Sequence, residues 1–306
     1  MEGVDLVHLH SLWPPPCLWA GRLAARRKIP YLMSLHGHLR PGALQWRPHR
    51  KRFGLRFLGY QALLKGAAAL HALNESEAAE AEALSLGPPV HVIPNGVPRV
   101  ELPADPELFR RRFSLGDKPY LLFLARLHPR KGCARLAEAF AAIAHRYPEL
   151  QLVFAGNDVD GGSLAPKEII ARAGLEARVR FTGFIDGALK RGVLAGALLY
   201  LLPSDHEGFS VSSLEALAAG CPVLLSEGCH FSEVEEAGVG LTHPPTVQGL
   251  QLRLEELLGE GAEALRRRGA RAARWVERYR WESIERRYDT LYRSLLGDQS
   301  SPAEGA

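Results

Sequence analysis

A chain of 306 residues, 46% hydrophobic and 24% charged, has the make-up of a globular protein with room for two domains. A formal charge of +4 is too small by itself to imply nucleic acid, and no run approaches the ~18 apolar residues that a membrane span requires. The N-terminus lacks the basic and apolar regions of a secretory signal, and Cys17, Cys133, Cys221 and Cys229 show no Cys-x-x-Cys spacing, so a zinc ribbon is disfavoured and a reducing cytoplasm is expected.

Val4 to Leu9 reads as an apolar-rich strand running into His8-Leu-His10-Ser-Leu-Trp13. Histidines at i and i+2 of a strand share a face. A metal pair is one reading of His8 and His10, but no carboxylate or cysteine at ligand spacing joins them. Leu18 to Lys28 reads as a helix ended by Pro30, and Tyr31 to Leu35 as the next strand, with His36-Gly-His38 at its carboxyl end. Arg40 to Arg56 carries Arg40, Arg47, Arg50, Lys51, Arg52 and Arg56, interleaved with Trp46 and Phe53. A solvated helix face, an anionic membrane surface and an acidic acceptor all suit that run; nucleic acid does not, because no recognition motif accompanies the charge. Ala67 to Leu73 is a buried strand, and Asn74 with Glu77 has the spacing of a capping box before a helix to Leu84. Val90 to Ile93 is a strand ending in Pro94-Asn-Gly-Val97.

A Pro- and charge-rich linker is expected over residues 98–118. Tyr120 to Ala125 is a continuous apolar run, hence a central parallel strand, opening onto Arg126-Leu-His-Pro-Arg130-Lys131-Gly132 before a helix from Cys133 to Arg146. A fixed guanidinium and a flexible ammonium five residues apart suit a diphosphate. Leu150 to Ala155 is the next strand; its loop holds Asp158 and Asp160, a pair able to hold a divalent metal, although the flanking glycines favour a plain turn. Arg178 to Thr182 is a strand ending in Gly183-Phe184-Ile185, Leu189 to Leu194 is helical, and Ala197 to Leu202 is a buried strand. After it, Ser204-Asp-His-Glu207-Gly208-Phe209-Ser210 leads into a helix over Val211 to Ala219, stopped by Gly220 and Pro222. The free amides and positive dipole end of such a helix make a phosphate site. Glu207 stands before it and Glu215, eight positions on, lies about two turns inside. Val223 to Leu225 and Val239 to Leu241 are late strands and the remainder is helical, with Arg266 to Arg274 as a solvated face and an apolar stripe from Trp275 to Tyr292.

Glu207-Gly-Phe-Ser210 followed by Glu215 resembles the Glu-x7-Glu signature of the retaining glycosyltransferases of family 4. Arg126, Lys131, the passage from Asp5 to Trp13, Ser34-Leu-His36-Gly37 and Pro94-Asn-Gly fall in that family's order, so the resemblance covers residues 4 to 296. It implies an α/β fold of the GT-B type, two Rossmann-like parallel-sheet domains facing a cleft. Residues 1–97 then form a truncated acceptor-side domain, 98–118 the linker, 119–280 the nucleotide-sugar domain, 281–296 a helix crossing back to the first domain, and 297–306 a disordered tail. The implied activity is metal-independent transfer of a hexose from a nucleotide diphosphate sugar to an acceptor hydroxyl with retention, with no cofactor. Glu207 and His36 are the implied catalytic residues, both against the sugar. Arg126 and Lys131, with the helix start at Gly208, Phe209, Ser210, Val211 and Ser212, hold the diphosphate; Glu215 binds ribose; Phe184 and Ile185 meet the base. Family members usually carry glycine where Ser210 stands, which implies a narrower sugar pocket here. The acceptor is expected to be a carbohydrate or lipid-linked, and the setting cytoplasmic, with residues 40–58 as a peripheral contact at the inner membrane face.

The family's glycine-rich loop after its first strand has no counterpart, since no Gly-Gly precedes Gly161. About 70 to 90 residues of the first domain are therefore expected to be absent. Two further readings follow: a non-catalytic subunit that binds a sugar nucleotide or a partner, and a nucleotide-sugar epimerase of the same fold.

Overall fold

The computed structural model describes residues 3–39, 59–99 and 104–297. The basic 40–58 segment and nearly all of the 297–306 tail lie outside the described residues. By its contacts the chain divides into two compact units, Met1–Gly96 with Trp281–Ala306, and Val97–Arg280.

In the first unit, β1 (Val7–His10), α1 (Pro15–Arg26), β2 (Tyr31–Ser34), α2 (Tyr60–Lys65), β3 (Ala69–Ala72), α3 (Glu75–Glu82) and β4 (Val90–Val92) follow one another. The strands are parallel, in the order β1-β2-β3-β4, with Val7 opposite Tyr31, Leu32 opposite Ala69 and Leu70 opposite Val90. Every residue of β2 and β3 is buried, which is why both read as apolar runs. α1 begins at Pro15, earlier than its periodicity suggests, because a proline's missing N–H costs nothing in a helix's first turn. Asn74 caps α3 by accepting from the Glu77 amide at 2.9 Å. The Glu77 carboxylate accepts from Leu73 N at 2.7 Å and also from Gly37 N, so this acid ties α3 to the loop after β2.

The second unit holds α4 (Pro106–Phe113), β5 (Tyr120–Leu124), α5 (Cys133–Ile143), β6 (Gln151–Ala155), α6 (Leu164–Arg172), β7 (Val179–Gly183), α7 (Gly187–Gly196), β8 (Leu199–Leu202), α8 (Val211–Ala218), β9 (Val223–Ser226), α9 (Glu233–Glu236), β10 (Gly240–His243), α10 (Val247–Gly259) and α11 (Ala262–Trp275). Here the sequence expectation needs correction: the stretch 98–118 is no simple linker, because it contains α4. Asp105 caps that helix by accepting from Glu107 N and Leu108 N, Pro106 occupies its first turn, and the wholly buried Phe109 packs 6.1 Å from the Tyr120 ring. The arginines at 110 to 112 make the segment look solvated and conceal Phe109 and Phe113, the aromatics that anchor it.

All six strands of this unit are parallel, in the order β10-β9-β8-β5-β6-β7. β5, β6, β8 and β9 are buried along their whole length, and each buried Leu or Phe stabilises by about 1.5 to 3 kcal/mol as an upper estimate. β5 and β8 are neighbours although two strands separate them in sequence, so strand order reverses between them. In open parallel sheets ligands bind beyond the carboxyl ends of the strands at such a reversal.

α12 (Trp281–Leu295) returns to the first unit, where Ile284 and Leu291, 0% and 5% exposed, pack with Leu32, Ala69 and Ile93. The apolar stripe read from the sequence therefore divides: Trp275 and Tyr279 pack on Phe231 in the second unit.

Candidate functional site

The loops after β5 and β8, with the helix that follows β8, carry most of the expected site residues, and glycine lets the loops touch. Gly132 has φ +75°, and a Cβ there would lie 2.0 Å from Pro203 O. Asp205 N and Ser204 Oγ donate to Arg130 O at 2.9 and 3.2 Å, while Arg135 donates to Pro203 O at 2.6 Å and Asp205 Oδ1 at 2.7 Å. This latch brings Lys131 Nζ to 2.5 Å from Glu207 Oε1, with side chains 20% and 11% exposed. Glu207 N donates to Gly228 O at 2.8 Å, which holds the turn containing Glu207 and Gly208 from the β9 side.

At the start of α8, Ser210 Oγ accepts from Ser213 N at 3.2 Å and Ser213 Oγ at 2.8 Å, so the residue that stands in the family's glycine position is a helix cap. A cap of this kind stabilises by about 1 kcal/mol. The Val211 and Ser212 amides have no carbonyl of their own helix to meet. Ser212 Oγ shares a 2.7 Å hydrogen bond with the Tyr200 hydroxyl, whose pKa burial pushes up, so the phenol stays protonated. Glu215 Oε1 meets Lys190 Nζ of α7 at 2.7 Å. Arg126 is exposed, and its guanidinium makes no hydrogen bond or ion pair among the described residues. With the two Lys–Glu pairs neutral, Arg126 and the helix-start amides leave the site with a positive balance suited to an anion.

Phe184 is 67% exposed beyond β7, whereas Ile185 is 5% exposed within the core, so of the two only Phe184 offers a side chain to a planar ligand. Phe209 packs 5.3 Å from Phe231 and braces the turn. Burial pushes the Cys133 and Cys229 thiols up to about 12, and Cys221 further, so none supplies a thiolate. The Ser163 hydroxyl, bonded to Asp158, holds that carboxyl below its usual range, and Asp160 faces His128 at 3.3 Å. Among the described residues no group of three His, Cys, Asp or Glu could hold a metal ion.

His36 lies in the first unit just past β2, with a left-handed φ of +50°. Its Nε2 is 3.1 Å from His10 Nδ1. Burial first, then the neighbouring His10 and His38, push its pKa down to about 4, so the ring is neutral at neutral pH. His38 Nδ1 accepts from Leu12 N at 3.0 Å and ties the β1 and β2 loops together.

Sequence reasoning misses Lys190 and Tyr200. The Lys190 contact joins positions 25 apart with no local signal, and Tyr200 sits inside an apolar run that reads as core.

Residues 105–275 match the family model described as glycosyl transferases group 1, and residues 2–96 that of the glycosyl transferase 4-like domain. A phosphatidyl-myo-inositol mannosyltransferase of Mycobacterium tuberculosis is 31% identical over 226 residues, 70% of this chain and 56% of its own length. The 2-deoxystreptamine glucosyltransferase of Streptomyces kanamyceticus is 31% identical over 232 residues, 72% of this chain and 58% of its own. The chain thus spans little more than half the length of these curated relatives. Among solved structures, Anabaena HepE in complex with UDP-glucose superposes with a TM-score of 0.77 at 22% identity, over 95% of this chain and 79% of that one, a likeness that shows the GT-B fold.

Proposed function

The chain belongs to the glycosyl transferases group 1 family, and from that premise we propose that it moves a hexose from a nucleotide diphosphate sugar to an acceptor hydroxyl, with retention and without a metal ion. One observation carries the reading: the Lys131–Glu207 contact, 2.5 Å, at the strand-order reversal between β5 and β8. It brings a cation suited to phosphate and a carboxylate suited to sugar hydroxyls together beside the start of α8.

In this reading Arg126, Lys131 and the Val211 and Ser212 amides bind the diphosphate and stabilise the negative charge that grows on it as the glycosidic bond breaks, the electrostatic effect that usually contributes most. Glu207 orients the sugar, Glu215 binds the ribose, Phe184 lies against the base and His36 contacts the sugar. Retention follows a front-face path, supported by the lysine pairing of both carboxylates and the protonated thiols. The acceptor is a carbohydrate or lipid-linked hydroxyl, a class supported by relatives named for phosphatidyl-myo-inositol and 2-deoxystreptamine. Among the described residues no helix is long and apolar enough to cross a membrane. Membrane contact is assigned to the basic 40–58 segment, and sedimentation with anionic vesicles tests it.

The donor reading is tested by thermal shift against UDP-, GDP- and ADP-sugars in EDTA. One donor at a hundredfold excess over its Kd stabilises by about 2.7 kcal/mol and raises the melting temperature by several degrees. Lys131→Ala removes the shift. Absence of any shift, or a shift that needs a divalent ion, contradicts the reading.

A further inference from the structure

Beneath His36 lies a hydrogen-bonded chain whose proton positions follow from one end. His71 Nε2 lies 2.7 Å from Ile93 O, and a carbonyl only accepts, so this nitrogen carries the proton. In the neutral ring Nδ1 then accepts from the Ser34 hydroxyl at 2.6 Å, and Ser34 Oγ accepts from His8 Nε2 at 2.7 Å. His8 Nδ1 is left to accept from the Tyr292 hydroxyl, also at 2.7 Å. Every nitrogen of His8 and His71 is thereby used, and none remains to bond His10.

His10 instead lies stacked on His8, ring centroids 4.0 Å apart and planes 29° apart, and stacks in turn toward His36 at 5.4 Å and 30°. Its one ring hydrogen bond among the described residues links Nδ1 and His36 Nε2 at 3.1 Å. Two neutral imidazoles facing nitrogen to nitrogen hold a single proton between them, so the state of one ring dictates the other. The His36 backbone is fixed as well: its left-handed φ, which costs a non-glycine residue about 1 to 2 kcal/mol, is held by Gly37 N donating to Glu77 and by Leu35 N donating to His71 O at 3.0 Å.

We propose that His10 is a positioning residue for His36, setting its ring plane and its tautomer so that Nδ1 is the atom His36 offers to the sugar. The proposal rests on the reading of His36 as the sugar-contacting histidine. Titratable and charged groups surround the pair: His8 of β1, His38 of the same loop and His71 of β3 act on it directly, Cys17 of α1 donates to His10 O, Glu77 of α3 accepts from Gly37 N, and Arg287, Tyr288 and Tyr292 of α12 reach it only through His71 and His8. The histidines among them disfavour a charge on His36, and removing His10 removes one such neighbour along with the hydrogen bond.

The test uses the full chain with 15N-labelled histidine. In the unaltered protein His36 shows the nitrogen shifts of a single tautomer. In His10→Phe those shifts move toward a mixture and the His36 titration midpoint rises, while kcat falls about tenfold or more with the donor KM within about twofold. His10→Asn, whose amide places a hydrogen-bonding atom where Nδ1 sits, recovers most of the rate, and melting curves confirm that both variants fold. Unchanged His36 nitrogen shifts and titration in His10→Phe overturn the proposal. If His36→Ala leaves transfer intact, or no donor is turned over, it is the sugar-contact reading of His36 that fails, and the nitrogen shifts still decide whether His10 positions it.

Discussion

A lysine already paired with a carboxylate keeps N–H donors for a phosphate, but the strength of that pair depends on how far both groups are buried. Lys131 and Glu207 are mostly buried, 20% and 11% exposed, so neither charge can simply turn to water if the other is lost. Lys190 and Glu215 are wetter, 34% and 21% exposed, and their pair contributes less, under about 1 kcal/mol. A double-mutant cycle separates the two cases. Lys131→Met and Glu207→Gln should each cost about 1 to 3 kcal/mol, and the double variant should recover a coupling of about 0.5 to 3 kcal/mol in denaturant melts. The same cycle at Lys190 and Glu215 should give a smaller coupling. Equal couplings at both pairs would show that burial does not set their strength.

At the scale of elements, the contact between α12 and the first sheet is partly polar, and that part is pH-sensitive. Tyr292 meets His8 at 2.7 Å, and the Tyr288 hydroxyl lies 3.2 Å from His71. Burial pushes His8 from its ordinary 6.5 down to about 3 and His71 down to about 4. Below 6.5 the unfolded chain takes up protons that the folded rings refuse, so this stabilisation is complete above 6.5 and is lost as pH falls toward 4. Calorimetry from pH 7.5 to 4.5 should therefore show a melting transition that falls with acid, with a shallower slope in His71→Gln; parallel slopes would sink the idea. This helix contact also marks the limit of what the sequence discloses. Strands such as Tyr31–Ser34 and Tyr120–Leu124 are legible because wholly buried parallel strands are unbroken apolar runs. The Glu207-to-Glu215 spacing is legible because a helix start fixes it locally. The partners of those acids, Lys131 and Lys190, come from a loop and a helix 76 and 25 residues away, and only the assembled sheet brings them within reach. The helix at Pro106–Phe113 does announce itself in Asp105-Pro106-Glu107, a cap, a first-turn proline and an acid, but the neighbouring prolines and arginines drown that signal.

For the whole molecule the decisive feature is that the first unit is discontinuous: the chain leaves it at Gly96 and re-enters it at Trp281. That unit is incomplete until its last helix has been made. Ile284 and Leu291 cover Leu32, Ala69 and Ile93, and two such buried side chains supply about 3 to 6 kcal/mol as an upper estimate. Against a total stability of about 5 to 15 kcal/mol for a typical domain, that share is too large to lose. The second unit gives up nothing comparable, since its own closing contacts, Val97 N to Tyr279 O at 2.8 Å and Arg280 to Pro98 O at 2.8 Å, precede the cut. A chain stopped after Arg280 should therefore lose hydrogen-exchange protection in β2 and β3 while β5, β6 and β8 keep theirs, and the donor-induced thermal shift should persist. If β2 and β3 remain protected in the shortened chain, the helix does not hold the first sheet together and the energetic argument for it fails.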